Sequence, residues 1–575
     1  MKRTPLSLRF IAFILDLAFG ILNCYAQHPK DYFRSPLDIP LFLSGNFGEI
    51  RSNHFHSGLD LKTQSVEGKP VYAPADGFVS RIKIAAGGYG NALYVTHDKG
   101  YTTVYGHLSG YADSLAKYIK AEQYKKERFE IELIPDSNLF RVKKGDVIAF
   151  TGNTGSSGGP HLHFEIRDTK TESPYNPLFF GFEVKDKIPP VITALAIYEL
   201  DENARKGRTD KVKIFPVTKS GGKYVVNGGK PVVVPKITGF GLEVYDQLDG
   251  ADNHNGAYSI ELLRDSTRIY YHAIDEMPFH LSRFINSHID YDEKIRNENI
   301  IQKSFIEPGN QLKIYQPTED MGRSVIKPGT KHKFTYIVKD VAGNSSSLNF
   351  TVDPEIFFTR TNTDSLNAQA FYYDSVNTFK SAGMELQMPD FSLYRDIDFI
   401  YANKPKTRQT YSAIHRIHKN TEPLQREYTL SIKPDSIPEK VKDKLLIVSF
   451  NSNGNPVSQG GELKEGIVTT KTKTFGDFAV MADTTKPKIT PVNITRDGDL
   501  SAAKTIKLKI SDNLSGVGFY RGSIDGKWIL MDYDGKNSLL TYTFDKDLSK
   551  GKHYFELMLT DGKQNSAKYD ASFQR

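Results

Sequence analysis

The chain reads as mainly β, and three observations predict it. Tyr (31) and Phe (35) are plentiful and Gly numbers 45 among 575 residues, a composition that favours strands and tight turns. Short apolar runs, such as residues 92–95 (ALYV) and 147–150 (VIAF), are separated by Gly-rich turns. Alternating stretches such as Ile506-Lys507-Leu508-Lys509-Ile510 put apolar side chains on one sheet face. Hydrophobic content of 39% is enough for packed cores, so disorder is not the expectation.

Residues 1–26 read as an export signal. Lys2, Arg3 and Arg9 form a basic start, the run from Phe10 to Leu22 is mostly apolar despite Asp16, and Ala26 is a small residue ahead of Gln27. The run is short for a membrane span, and no other segment is long and apolar enough for one. Cys24 is the only cysteine, so cleavage after Ala26 leaves a mature chain with no disulfide and no thiol chemistry. A lipid anchor on Cys24 is the rival reading, disfavoured by Asn23 where such signals carry a small residue. The formal charge of +7 is mild for this length. It fits a solvated surface and gives no reason to expect a nucleic-acid partner.

Residues 27–185 hold the chemistry-bearing motifs in an antiparallel β pattern. Residues 112–127 (ADSLAKYIKAEQYKKE) lack Gly and Pro and predict a helix within an insertion spanning about 112–141. Beyond, three stations recur in order. Asp186-x3-Pro190-x-Ile192-Thr193 recurs as Asp483-x3-Pro487-x-Ile489-Thr490. Asp246-x-Leu248-x-Gly250 recurs as Asp512-x-Leu514-x-Gly516. Lys331-His332-x-Phe334-x5-Asp340-x3-Asn344-Ser345 recurs as Lys552-His553-x-Phe555-x5-Asp561-x3-Asn565-Ser566. Residues 186–353 and 483–575 therefore read as two copies of an immunoglobulin-like β-sandwich, the first with a long insertion. Residues 354–482 form a further β-rich unit with no family assigned. The Asp340/Asn344 and Asp561/Asn565 pairs read as turn chemistry rather than calcium loops.

Two short segments dominate the first unit: His56-Ser57-Gly58-Leu59-Asp60 and His161-Leu162-His163-Phe164-Glu165, with His107 between them in Tyr105-Gly106-His107-Leu108. Imidazoles plus a carboxylate suit zinc. The surplus histidines suit a hydrolytic site, which keeps an open position and needs proton-handling neighbours. Strict alternation in residues 161–166 predicts a strand with His161, His163 and Glu165 on one face. Glu165 either orients a ligand or forms a plain salt bridge. The preceding loop, residues 152–160 (GNTGSSGGP), suits close approach of an extended substrate or a tight turn equally. His97, His272 and His415 read as surface or satisfied polar residues rather than ligands, and His54 either supports the site from behind its ligands or lies on its rim.

His-x3-Asp, a Gly-His-Leu segment, Gly-Asn-Thr-Gly and Gly-Pro-His-Leu-His-Phe-Glu together resemble the M23 family of zinc metallopeptidases, the lysostaphin/LytM-like cell-wall endopeptidases, over roughly residues 40–180. The resemblance implies one Zn2+ per chain held by His56, Asp60 and His163, with His107 and His161 as catalytic histidines. It implies a LytM-like antiparallel-sheet peptidase domain followed by the β-sandwich modules. It also implies hydrolysis of peptidoglycan peptide cross-links through a zinc-activated water, in an exported protein of the periplasm or cell envelope, or secreted. The alternative is a non-catalytic LytM-like scaffold that activates or positions other wall hydrolases; retention of all five residues weighs against it. The sandwich modules would serve to contact wall or an envelope protein partner.

Overall fold

The computed structural model describes residues 28–318, 320–327, 329–354, 368–544 and 548–575. The export-signal reading and Cys24 lie outside these residues. The described chain is mainly β, as expected.

Strands of the first unit form one antiparallel sheet with the order Leu43–Gly45, Leu59–Lys62, His161–Asp168, Tyr101–Gly106, Asn91–His97, Gly77–Ile84, Ile131–Leu133. The His161–Asp168 strand is central, and it decides where the motifs meet. It pairs on one side with Leu59–Lys62, putting His163 opposite Asp60. On the other side it pairs with Tyr101–Gly106, putting His163 opposite Gly106, the neighbour of His107. Leu162, Phe164 and Ile166 point into the core with at most 1% exposure. The expected helix is present at Asp113–Lys126, where Leu115 and Ile119 bury its inner face.

Large hydrophobic cores follow one another along the chain. The first also recruits Ile274, Met277, Leu281, Phe284, Ile285, Leu312 and Ile314. The insertion of the first repeat copy thus packs against the N-terminal unit. Ser282 Oγ accepts from the Phe55 backbone N–H at 2.8 Å, fastening it beside His56.

The two repeat copies share a pairing pattern. His332–Lys339 pairs antiparallel with Ser345–Pro354, as Lys552–Asp561 does with Ser566–Gln574. In each copy a short strand then joins the latter in parallel, Val232–Val234 in the first and Gly498–Asp499 in the second. The second copy is two sheets around one core. In the first, the long strand Arg208–Ser220 pairs with Val191–Leu200 at one end and Lys223–Val226 at the other, joining the ladders into one sheet. The repeated His station has a local cause. His332 Nδ1 and His553 Nδ1 each bond a hairpin-turn carboxylate, Asp265 at 2.5 Å and Asp525 at 2.6 Å.

The C-terminal copy folds back on the first unit. Trp528 packs edge-on against Tyr124 of the helix, ring centroids 5.2 Å apart. Arg521 pairs with Glu127. Lys536 Nζ donates to the Asn153 carbonyl and, at 3.1 Å, to that of Ser157.

Candidate metal centre

Three of the residues singled out in the sequence converge tightly. His56 Nε2 lies 3.0 Å from Asp60 Oδ1 and 3.1 Å from His163 Nδ1, and His163 Nδ1 lies 3.0 Å from Asp60 Oδ1. All three are buried, at 6%, 7% and 3% exposure. A tetrahedral zinc with bonds of about 2.0–2.1 Å sets its donor atoms about 3.3 Å apart, close to this spacing.

Protonation makes the case chemically. His56 Nδ1 lies 2.7 Å from the Asn46 carbonyl, which only accepts, so that nitrogen carries the proton and Nε2 is bare. His163 Nε2 donates to Glu165 Oε1 at 2.7 Å, turning Nδ1 toward the same point. Two ring nitrogens and a carboxylate oxygen therefore face one another. Among protein atoms only a proton can bridge them. Burial opposes a second proton on His163, but hydrogen bonds to Asp60 and Glu165 outweigh it and lift its pKa to about 9. Burial would likewise raise the Asp60 carboxyl, yet His56, His161 and His163 hold it well below the usual range. A divalent cation satisfies all three lone pairs at once. The residues fit zinc.

His107 and His161 flank the triad. Their rings are 4.7 Å apart, and His107 is 5.9 Å from His163, centroid to centroid. His161 Nε2 lies 3.4 Å from Asp60 Oδ1. Each is oriented through Nδ1, which donates to a carbonyl at 2.8 Å, that of Thr154 for His107 and that of Gly159 for His161. Both Nε2 atoms are thus free to accept. Burial first, then His163 and His161, push the His107 pKa down to about 3. Its backbone is left-handed at φ 62°, a conformation that non-Gly residues adopt at a cost.

The residues 152–160 loop divides the two readings given to it. A Cβ on Gly152 would lie 2.4 Å from the Ser109 nitrogen, and one on Gly155 2.3 Å from the Gly90 nitrogen, so these glycines permit close backbone packing. Gly158 and Gly159 face open space.

Glu165 does both things proposed for it. It is fully buried, accepts from His163, and binds Arg167 Nε at 2.6 Å. Burial alone would raise its carboxyl, but Arg167 and His163 hold it far below the normal range. Sequence reasoning missed its other partners, Ser57 Oγ at 2.7 Å and Tyr89 OH at 2.5 Å. It also missed Arg51, which holds Asp60 Oδ2 at 3.0 Å and so leaves Oδ1 to the site. Arg167 had a signal, the period-two continuation of His163 and Glu165; Tyr89 and Arg51 had none. His54 is exposed, bonded to the Ser52 carbonyl. His97, His272 and His415 are buried, with hydrogen bonds to Thr103, Tyr270 and Tyr401 respectively.

Sheet and triad together define a metallopeptidase-type domain. Residues 54–124 and 138–177 match the model of Peptidase family M23, and the domain belongs to that family. Residues 368–483 match the Zu5-like domain, which gives the middle unit a family. An "uncharacterized metalloprotease" of Haemophilus influenzae is 36% identical over 143 residues, covering 24% of this chain and 25% of that protein. The DD-carboxypeptidase/endopeptidase Mpg of Neisseria meningitidis serogroup B is 35% identical over 123 residues, 21% of this chain and 22% of that one. The peptidoglycan DD-endopeptidase ShyC of Vibrio cholerae is 31% identical over 166 residues, 27% and 31% respectively. The chain spans about a quarter of the length of the curated relatives it matches.

Proposed function

We propose that this chain is an exported zinc metalloendopeptidase that hydrolyses peptide cross-links of bacterial peptidoglycan, with His56, Asp60 and His163 as ligands and His107 and His161 as catalytic histidines. The observation that carries this reading is the meeting of two ring nitrogens and one carboxylate oxygen within 3.1 Å of one another, beside two more histidines whose Nδ1 atoms are tied to carbonyls.

Zinc, when bound, supplies Lewis acidity and brings the pKa of a water from about 16 toward about 7. One of His107 and His161 accepts the proton of the attacking water at its Nε2, and a proton passes from this pair of histidines to the leaving amine. The carbonyls of Thr154 and Gly159 hold the two rings in place throughout. The open side of the loop at Gly158 and Gly159 leaves room for an extended peptide. The names of the Neisseria and Vibrio relatives support peptidoglycan as the substrate. Residues 1–26 support export to the periplasm or envelope. Among the described residues no helix is long and apolar enough to cross a membrane. The sandwich modules are the surface proposed for contact with wall or an envelope partner.

The test is incubation of the purified zinc-bound chain with cell-wall sacculi and mass spectrometry of the soluble fraction. Release of peptide-bearing fragments is expected. Intact sacculi, with zinc bound, would reject the reading.

A further inference from the structure

Three aspartates meet where the N-terminal unit passes into the first repeat copy. Asp186 lies ahead of the Val191–Leu200 strand, Asp246 directly after Ile237–Tyr245, and Asp340 directly after His332–Lys339. One carboxylate oxygen from each lies within 4.8 Å of the other two. Asp340 accepts from the backbone and side chain of Asn344, at 2.9 and 2.8 Å, and Asp186 from the Ile188 N–H at 3.1 Å. That is the turn chemistry read from the sequence. It does not account for Asp246.

Asp246 is 2% exposed, and its Oδ1 has no hydrogen-bond partner. Asn255 pairs with it through two backbone hydrogen bonds, 2.9 and 2.8 Å. The Asn255 Oδ1 is likewise buried and unpartnered. Among the described residues no Lys or Arg forms an ion pair with Asp186, Asp246 or Asp340. Buried oxygens of this kind carry a desolvation cost that a partner normally offsets. The equivalent stations of the second copy, Asp483, Asp512 and Asp561, also converge within 4.8 Å, and Asp512 Oδ1 again lacks a partner.

We propose that Asp186, Asp246 and Asp340, completed by the Asn255 amide oxygen, bind a calcium ion. The donor set is all oxygen, with no imidazole or thiolate, which selects a hard cation. The ligands come from separate loops and tolerate the irregular, higher coordination of calcium better than the strict octahedron of magnesium.

The location gives the ion a consequence. Gly256, next to Asn255, is locked to the N-terminal unit by Asn46: Asn46 Nδ2 donates to the Gly256 carbonyl at 2.7 Å and Asn46 Oδ1 accepts from its N–H at 2.9 Å. The carbonyl of the same Asn46 orients His56. Calcium that orders the loop carrying Asn255 and Gly256 therefore steadies a residue of the histidine triad from a distance.

The test is calorimetric titration of the full chain, with one equivalent of zinc added, using calcium chloride and, in parallel, magnesium chloride. Calcium is expected to bind with a Kd on the order of 10⁻⁴–10⁻³ M and to raise the unfolding temperature. Asp246→Asn is close in shape and removes buried charge; it is expected to lose one equivalent of calcium and to keep its zinc. Asn255→Ala is the second variant, with at least a tenfold weaker first site expected. Absence of calcium binding, equal binding of magnesium, or unchanged titrations in both variants would overturn the proposal. Because zinc content is read separately, failure here is distinguishable from failure of the peptidase reading.

Discussion

His163 stands directly opposite Asp60 in the antiparallel ladder, with Nδ1 3.0 Å from Oδ1. The backbone register of two neighbouring strands thus places two of the three candidate ligands, and neither depends on a mobile loop. His56 is brought in by the short connection of three residues, His56 to Gly58, that leads into the Leu59–Lys62 strand. Ligands and flanking histidines can then be separated by mutation.

His56→Ala is expected to lose both zinc and turnover, because it removes one of three converging lone pairs. His161→Ala should keep most of the zinc and lose turnover by about 10²-fold or more. Metal analysis beside a peptide-release assay reads both. Equal loss of metal in the two variants would merge roles that are kept apart here.

Glu165→Ala leaves Arg167 and the His163 Nε2 proton buried without their shared acceptor. Breaking a buried ion pair from one side costs about 3–5 kcal/mol, and loss of a group that orients a ligand weakens metal affinity about 10- to 100-fold. Chemical denaturation and competition with a zinc chelator measure the two effects.

Gly155→Ala and Gly158→Ala separate the two halves of the Gly-rich loop. Gly155 has φ 68° and no room for a Cβ, whereas Gly158 has open space. Gly155→Ala should displace Thr154, whose carbonyl orients His107, and reduce kcat with zinc content unchanged. Gly158→Ala should leave stability within about 0.5 kcal/mol of the parent and act, if at all, on KM. Steady-state kinetics with a soluble wall peptide distinguishes them.

The His553–Asp525 pair predicts a pH dependence in the C-terminal module. The hydrogen bond to Asp525 raises the His553 pKa above the ordinary value. A raised folded value means the folded state holds the proton more tightly, so the stabilisation is complete below the unfolded value of about 6.5 and fades as pH rises through the folded one. The unfolding temperature should fall across that window, and His553→Asn should flatten the profile. An identical slope in the variant would assign the dependence elsewhere.

Much of the site was legible because its signals are local. The period-two alternation at residues 161–166 fixed which side chains share a face, and the strand at His161–Asp168 carries them so. The helix over residues 113–126 followed from a run of helix formers without Gly or Pro. Tyr89 and Arg51 left no such trace, since each reaches the site from a turn or strand whose own pattern is unremarkable in sequence. The three repeated aspartates were legible as stations and not as neighbours, because they lie in loops far apart along the chain and turn chemistry accounted for Asp340 and its copy Asp561.

The sequence by itself determined the strand periodicity, the repeat and the residue types able to hold a hard or borderline metal ion, since these depend on chain-local spacing and side-chain chemistry. Tertiary structure alone decided that His163 faces Asp60, that Glu165 serves His163 and Arg167 together, and that Asn46 joins His56 to the loop of Asn255. Those relations arise from ladder register and packing between segments as far as about two hundred residues apart in sequence, a distance over which no local pattern carries information.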